Sequence, residues 1–260
     1  MINKSILVLI ASLALLFLYQ SELPAQNASR DSLHLKADSL YENYEETEAL
    51  RAYENILEEE PENYKALWRA SFLYSRIGNR KDDNEQQQEY FNKAISLAEK
   101  ALQEDSTDVH SNFAMSVAMG RKALIASTRE RVAASRDIKK YVDRALAQDS
   151  THAGSWHVLG RWHFKVANLN FVERLAANTL FGGIPGDASN DKAVRAIKRA
   201  VDLKDKYVLY HHDLAMVYDE MGEREKAIEA CQMALKQETL TPDDPKLKEE
   251  CRNWIKDWES

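Results

Sequence analysis

Histidines and cysteines are the residues of this 260-residue chain whose types and spacing most readily suggest chemistry. His211, His212 and Asp213 are consecutive, while His157 and His163 stand six positions apart. Adjacent helical residues point about 100° apart, and residues six positions apart lie on different helix faces. Neither set can therefore readily share one metal ion. The sequence holds no G-x-S-x-G, P-loop, H-E-x-x-H or C-x-x-C motif. These observations predict a protein that is not an enzyme and that uses no metal and no cofactor.

The two cysteines, Cys231 and Cys251, each lie ten positions from Thr241. If the segments on either side of Thr241 form a helical hairpin, the two thiols come close together. An oxidising compartment would then favour a disulfide. Two buried apolar thiols are the alternative, and this pattern leaves both open.

The elements that must position these side chains are helices. The chain has only 8 Gly and 5 Pro, with 44% apolar and 30% charged residues, a composition that favours an all-α protein. Residue triplets with spacings of four and three recur, and those spacings keep their members on one helix face. These triplets predict the second helices of successive helical pairs, and they are Ala49/Tyr53/Ile56, Ala94/Ala98/Ala101, Ile138/Val142/Ala145, Ala193/Ile197/Ala200 and Ala227/Cys231/Ala234.

Trp156, Leu159 and Gly160 have the W-x-x-L-G spacing that opens a tetratricopeptide helix. The last residues of successive triplets are 45, 44, 55 and 34 positions apart. Only the last of these separations equals the 34-residue period of tetratricopeptide repeats. The excess predicts insertions between paired helices, the longest at 168–186. The expected fold is an all-α, tetratricopeptide-like right-handed helical solenoid with inserted segments and a C-terminal capping helix at about 244–258.

The N-terminal residues 1–25 are typical of a signal peptide. Lys4 precedes an apolar run at 6–18, and Ala25 offers a small residue before a cleavage site. We therefore expect the repeat domain to cover 26–260 and to be exported, periplasmic or envelope-associated. An uncleaved N-terminal anchor is the alternative.

Charge is distributed unevenly along the chain. The formal net charge of −7 argues against nucleic acid as a partner. By segment, the net charge is −8 over 26–105, +7 over 106–200 and −6 over 201–260. A basic middle between acidic flanks could steer an anionic ligand to the centre, although helices with ordinary solvated faces also alternate in this way.

The central segment carries a more specific signal than a generic repeat. The run W-H-V-L-G-R-W at 156–162, V-A-N-L at 166–169, R-L-A-A-N-T-L-F at 174–181 and Pro185 together resemble the regulator-of-microtubule-dynamics family over about 90–236. The resemblance implies a tetratricopeptide-like helical domain that acts as a non-enzymatic adaptor. Relatives associate with microtubules or membranes, and some are linked to lipid binding. The export signal sets this chain apart from the microtubule-associated members.

The family's groove-lining spacing can be carried across the units of this chain. Aromatic rings beside Arg or Lys would suit an extended peptide with an acidic end, so a protein or peptide is the expected partner. A lipid or other apolar anion in the same groove is the alternative, and rings that only pack against neighbouring helices are a third interpretation. The candidate groove residues are Trp68, Phe72, Arg76, Phe113, Arg121, His157, Arg161, Phe164, Lys165, His212 and Met216.

The longest insertion contains an amphipathic stretch with Phe171, Leu175 and Phe181, followed by the Gly-rich residues 182–186. Such a segment could form a lid over the groove. A peripheral contact with a membrane is a second interpretation. The third is a helix that simply buries its apolar face against the solenoid.

Overall fold

The computed structural model describes residues 30–181 and 188–260. The predicted signal peptide at 1–25, the Gly-rich residues 182–186 and the side chain of Phe181 lie outside what it describes. All regular secondary structure within the described ranges is α-helical. The helices there are α1 (30–42), α2 (Glu46–Glu59), α3 (Tyr64–Asn79), α4 (Asn84–Glu104), α5 (Val109–Ile125), α6 (Thr128–Gln148), α7 (Ala153–Ala167), α8 (Phe171–Phe181), α9 (Asn190–Leu203), α10 (Val208–Glu220), α11 (Arg224–Lys236) and α12 (Asp244–Glu259).

Packing between the helices follows a repeat pattern. The pairs are α3 with α4, α5 with α6, α7 with α9, and α10 with α11. The first helices of successive pairs contact one another, α3 with α5, α5 with α7, and α7 with α10. Within the described residues, the second helices of different pairs do not touch. The first helices therefore form an inner layer, whose inward side we call the concave surface, and the expected solenoid is confirmed.

The predicted triplets form the interface between the layers. All fifteen of their side chains are buried. Gly160 shows why one position needs glycine, because a Cβ there would lie 2.5 Å from Ile197 Cγ1 and 3.1 Å from the Ala193 carbonyl oxygen. The absence of a side chain on α7 thus permits the close approach of α9. The W-x-x-L-G spacing predicted this feature.

The residues beyond the 34-residue period mostly become helix rather than loop. Helices α4 and α6 are each 21 residues long, and the longest insertion forms α8. Helix α8 packs against α6, where Ala177 is buried and Glu173 lies 3.1 Å from Arg131. At the C-terminus, α12 packs against α10 and α11 and forms the predicted cap.

Candidate functional site

A row of rings in contact with one another, which we call the aromatic row, crosses the concave surface from α3 to α7. The Trp68 ring stacks on His110 at 4.3 Å between centroids, with 10° between the planes. Phe72 lies 5.3 Å from Phe113, and Phe113 lies 4.7 Å from His152. Trp68 and Phe72 are four positions apart and so share one face of α3. Much of the predicted aromatic lining is thus used to join successive first helices.

Towards α10, the concave surface carries a chain of buried polar contacts. His157 Nε2 lies 2.7 Å from Asp213 Oδ2, and His212 Nδ1 lies 3.1 Å from Asp213 Oδ1. On its other side, His212 Nε2 lies 2.9 Å from Glu250 Oε2 on α12. Burial alone would raise the pKa of Asp213, but the Arg161 charge and the hydrogen bonds to His157 and His212 hold it well below its ordinary value. Asp213 is therefore an ionised carboxylate that joins α10 to α7 directly and to α12 through His212.

Arg161 stands at the centre of this arrangement. Its Nη1 lies 3.2 Å from Asp213 Oδ1 and 3.3 Å from the Met216 sulfur. Its guanidinium carbon lies 5.9 Å from the centroid of the Phe164 ring, which is also 5.9 Å from the Lys165 ammonium. Because a guanidinium has five N–H donors, these contacts leave Arg161 with donors to offer.

Two further cations lie close to Arg161. Arg121 on α5 is half-buried and donates one hydrogen bond of 2.8 Å, to the amide oxygen of Asn79. Burial, together with the charges of Arg161 and Arg76, lowers the pKa of Arg121 to about 10. Burial and the charge of Arg161 likewise lower the pKa of Lys165. We call Arg121, Arg161 and Lys165 the basic cluster.

Arg76 occupies a different setting, where the two ends of the solenoid meet. It hydrogen-bonds Glu46, the Tyr207 hydroxyl at 2.5 Å and Asp243 at 2.8 Å. Arg80 also contacts both carboxylates. Because Arg76 is only 6% exposed and each of its three guanidinium nitrogens already has a partner, it has a structural role in this conformation. We call these five residues the closure cluster.

The structure therefore divides the predicted groove residues into three sets. The aromatic row contains three of them, the Asp213 and basic-cluster neighbourhood contains seven, and the closure cluster contains Arg76. Sequence reasoning missed several rings that complete the surface, and the signal for them was a ring near the start of each first helix. These missed residues are His110, His152, Tyr207 and Tyr210.

The predicted lid and disulfide residues lie away from the concave surface. Phe171 and Leu175 on α8 are 79% and 51% exposed, and the helix lies beside α6 in the outer layer. Cys231 and Cys251 are buried free thiols that hydrogen-bond each other across the α11–α12 interface. Burial and the Cys251 contact raise the pKa of Cys231. The lid and the disulfide remain predictions.

Two further observations on the described residues concern metal ions and membranes. No group of three or more His, Cys, Asp or Glu side chains in residues 30–181 and 188–260 is placed to hold a metal ion. Among the helices of the same ranges, none has the length and apolar character needed to cross a bilayer.

A family model described as regulator of microtubule dynamics protein 1-3 matches residues 33–259. This chain belongs to that family. The match confirms the resemblance found in the sequence and extends it from about 90–236 to nearly the whole of the described chain.

Two relatives indicate how distant the similarity is. Regulator of microtubule dynamics protein 2 of Mus musculus is 23% identical over 229 residues, which cover 86% of this chain and 55% of that protein. Regulator of microtubule dynamics protein 3 of Xenopus laevis is 23% identical over 179 residues, which cover 68% of this chain and 38% of that protein. The chain thus spans about half the length of these family members, or less.

Among solved structures, a thermophilic tetratricopeptide-repeat protein of Thermus thermophilus aligns with a TM-score of 0.62 and 19% identity. The alignment covers 87% of this chain and 98% of the other. At that identity the likeness shows the fold, which is the one expected for this family.

Proposed function

We propose that this family member is a non-catalytic scaffold that binds a protein or an extended peptide on its concave surface. The observation that carries the proposal is the inner layer itself. There the first helices place a row of rings next to a set of cations, and Phe72, His110 and His152 in that row are half-buried rather than buried. Rings and arginines are the side chains that most often dominate binding at protein interfaces. Solenoids commonly use their concave surfaces for such contacts.

The alternative, a carrier for a lipid or other apolar anion, needs an enclosed apolar cavity. Two depressions of about 550 and 430 Å³ lie elsewhere, on the outer side of α2 to α4 and in the turn before α3. Both are open to solvent rather than enclosed. Their shape gives a carrier no support, so we favour the scaffold.

Photo-crosslinking tests the proposed surface. A benzophenone side chain replaces half-buried Val117, which lies between Phe113 and Arg121 on α5, or exposed Glu99 on α4 as the matched outer-layer control. In extracts of the protein's own cells, we expect discrete protein adducts from position 117 that are missing from position 99. Adducts from position 99 alone would place the partner on the outer layer and overturn the proposal.

We further propose that the chain works outside the cytosol, which rests on the sequence pattern at 1–25. Fractionation of the source cells, followed by N-terminal sequencing of the purified protein, tests this. A new N-terminus near residue 26 in the exported fraction supports it, whereas an intact Met1 in the cytosol contradicts it.

A further inference from the structure

The basic cluster is the part of the concave surface whose charges are least satisfied within the chain. Among the described residues, Arg121 has one hydrogen-bond partner, the neutral amide of Asn79, and forms no ion pair. The Lys165 ammonium has a ring, Phe164, as its neighbour and likewise no carboxylate partner there. Arg161 shares Asp213 with two histidines. Three cations therefore have one carboxylate between them.

Nearby acidic groups do not neutralise this excess of positive charge. Asp243 lies close enough to Arg121 for their charges to interact, but it is already bonded to Arg76 and Arg80. Glu173 interacts with the charge of Lys165 but forms its ion pair with Arg131. Arg121 and Arg161 are half-buried, whereas Lys165 is exposed. Half-buried cations without a full counter-charge are energetically costly, so an anion that enters the cluster gains from relieving that cost.

The geometry also prepares the cluster for a planar anion. Asp213 fixes Arg161 through Nη1, which holds the guanidinium in place while its other donors stay available. Asn79 fixes Arg121 in the same manner, through a single Nη1 bond. Guanidinium groups held on one side bind carboxylates well, because two parallel N–H donors match the two oxygens.

We propose that the Arg121, Arg161 and Lys165 cluster is a subsite for a carboxylate of the bound peptide, supplied by an Asp or Glu side chain or by its C-terminus. This inference rests on the proposed function and deepens it. A peptide fits better than a lipid headgroup, because the apolar groups beside the cluster are Phe164, buried, and Met216, half-buried. Such side chains expose little apolar surface to an acyl chain, while the aromatic row continues along α5 and α3.

The test uses the full chain and three pools of short acetylated peptides with randomised neutral positions. One pool has a central Glu and an amidated C-terminus, the second has Gln in place of Glu, and the third has Gln with a free C-terminal carboxylate. Binding is measured by fluorescence anisotropy at low salt. Inorganic phosphate and vesicles containing an anionic lipid are separate probes of the same cluster.

We expect at least one carboxylate pool to bind about tenfold or more tightly than the amidated Gln pool. Arg121→Gln should abolish that preference, whereas Arg121→Lys should retain part of it. Arg121 suits the test because its only hydrogen bond to a described residue is to an exposed side chain, so its replacement leaves the packing intact. The matched control is Arg199→Gln, which removes one exposed charge from α9 and should change affinity by less than about twofold.

The outcomes separate this inference from the proposed function. Equal binding of all pools that survives Arg121→Gln would overturn the carboxylate subsite and leave the peptide scaffold standing. Failure of every pool would contradict both. Binding of only phosphate or of the anionic vesicles, lost in Arg121→Gln, would overturn the peptide ligand and assign the cluster to a phosphate group.

Discussion

The Arg76 guanidinium donates a hydrogen bond of 2.8 Å to Asp243, which lies 167 positions further along the chain. Arg76 is near the end of α3, and Asp243 immediately precedes the capping helix α12. This pair joins the first repeats to the last and fixes the curvature of the concave surface. The bond is one of several in the closure cluster, since Tyr207 and Glu46 also contact Arg76.

Replacing Arg76 should destabilise the whole domain. Arg76→Met removes the guanidinium from a site that is 6% exposed and leaves Glu46, also buried, with Arg80 alone. We expect the free energy of unfolding in urea to fall by about 3 kcal/mol, because breaking a buried ion pair by removing one partner is costly. The control is Lys93→Met, whose exposed pair with Glu89 should be worth less than about 1 kcal/mol.

A double-mutant cycle isolates the pair that closes the solenoid. Asp243→Asn should be less harmful in the Arg76→Met background than in the wild type, since the two residues share one interaction. Additive effects would show that the ends of the solenoid are held together by other contacts.

Glycine at position 160 should be essential for the packing of α7 on α9. The Cβ of Gly160→Ala would overlap Ile197 and approach the backbone of Ala193, so we expect a loss of about 1–3 kcal/mol. Gly120 is the matched control, because it is also helical and a Cβ added there would have nothing within 4 Å. Gly120→Ala should stabilise the protein by about 0.5–1 kcal/mol. If both variants change the free energy of unfolding in urea by the same amount, α7 and α9 do not approach as closely as described.

The repeat architecture could be predicted from the sequence because it depends on local spacing. Apolar residues at four- and three-residue intervals lie on one helix face whatever the rest of the chain does, and all five triplets are buried as expected. Gly160 belongs to the same class of signal. The family resemblance identified the correct family for the same reason, since it rested on contiguous motifs at 156–181.

The closure cluster could not be predicted in this way. Whether Arg76 reaches Asp243 depends on the rotation summed over all the intervening repeats, and the inserted residues alter that rotation. The spacing on α3 predicted a groove position for Arg76, but its partners come from α2, the N-cap of α10 and the segment before α12. By contrast, Arg121 and Arg161 come from neighbouring first helices, so the basic cluster was within reach of the sequence pattern.

Acid should weaken the protein partly through His152, the N-cap of α7. Its Nδ1 accepts a hydrogen bond from the Ser155 amide at 3.2 Å, which only the neutral ring can do. Burial and the charge of His110 lower the pKa of His152 to about 4. The charges of Asp149 and Asp108 raise the pKa of His152, and the charge of Lys204 lowers it further.

The sign of the pH effect follows from that lowered pKa. An unfolded histidine titrates near 6.5, so between about pH 6.5 and 4 the unfolded chain binds more protons than the folded one. The free energy of unfolding must therefore fall as the pH drops through this window. His152→Asn keeps a good N-cap without a titrating group. In urea titrations from pH 7.5 to 4.5, the wild type should lose about 1–2 kcal/mol more than the variant. Parallel profiles would mean that His152 is protonated without cost.

The exposed face of α8 should be dispensable for folding. Phe171 and Val172 are 79% and 62% exposed, so replacing both with Gln should change the free energy of unfolding by no more than about 0.5 kcal/mol. Ala177→Asp is the contrasting variant, because it places a charge in the fully buried contact with α6. It should accelerate hydrogen exchange in α8 while the α10–α11 pair keeps its protection.

The same two variants also test the predicted lid. If α8 covers a bound peptide, the double Gln variant should lose affinity for the acidic peptide pool although its stability is unchanged. An unchanged affinity would leave α8 as an outer helix that lengthens the third pair. A large loss of stability in the double Gln variant would instead mean that Phe171 and Val172 are covered in solution, as a second copy of the chain would cover them.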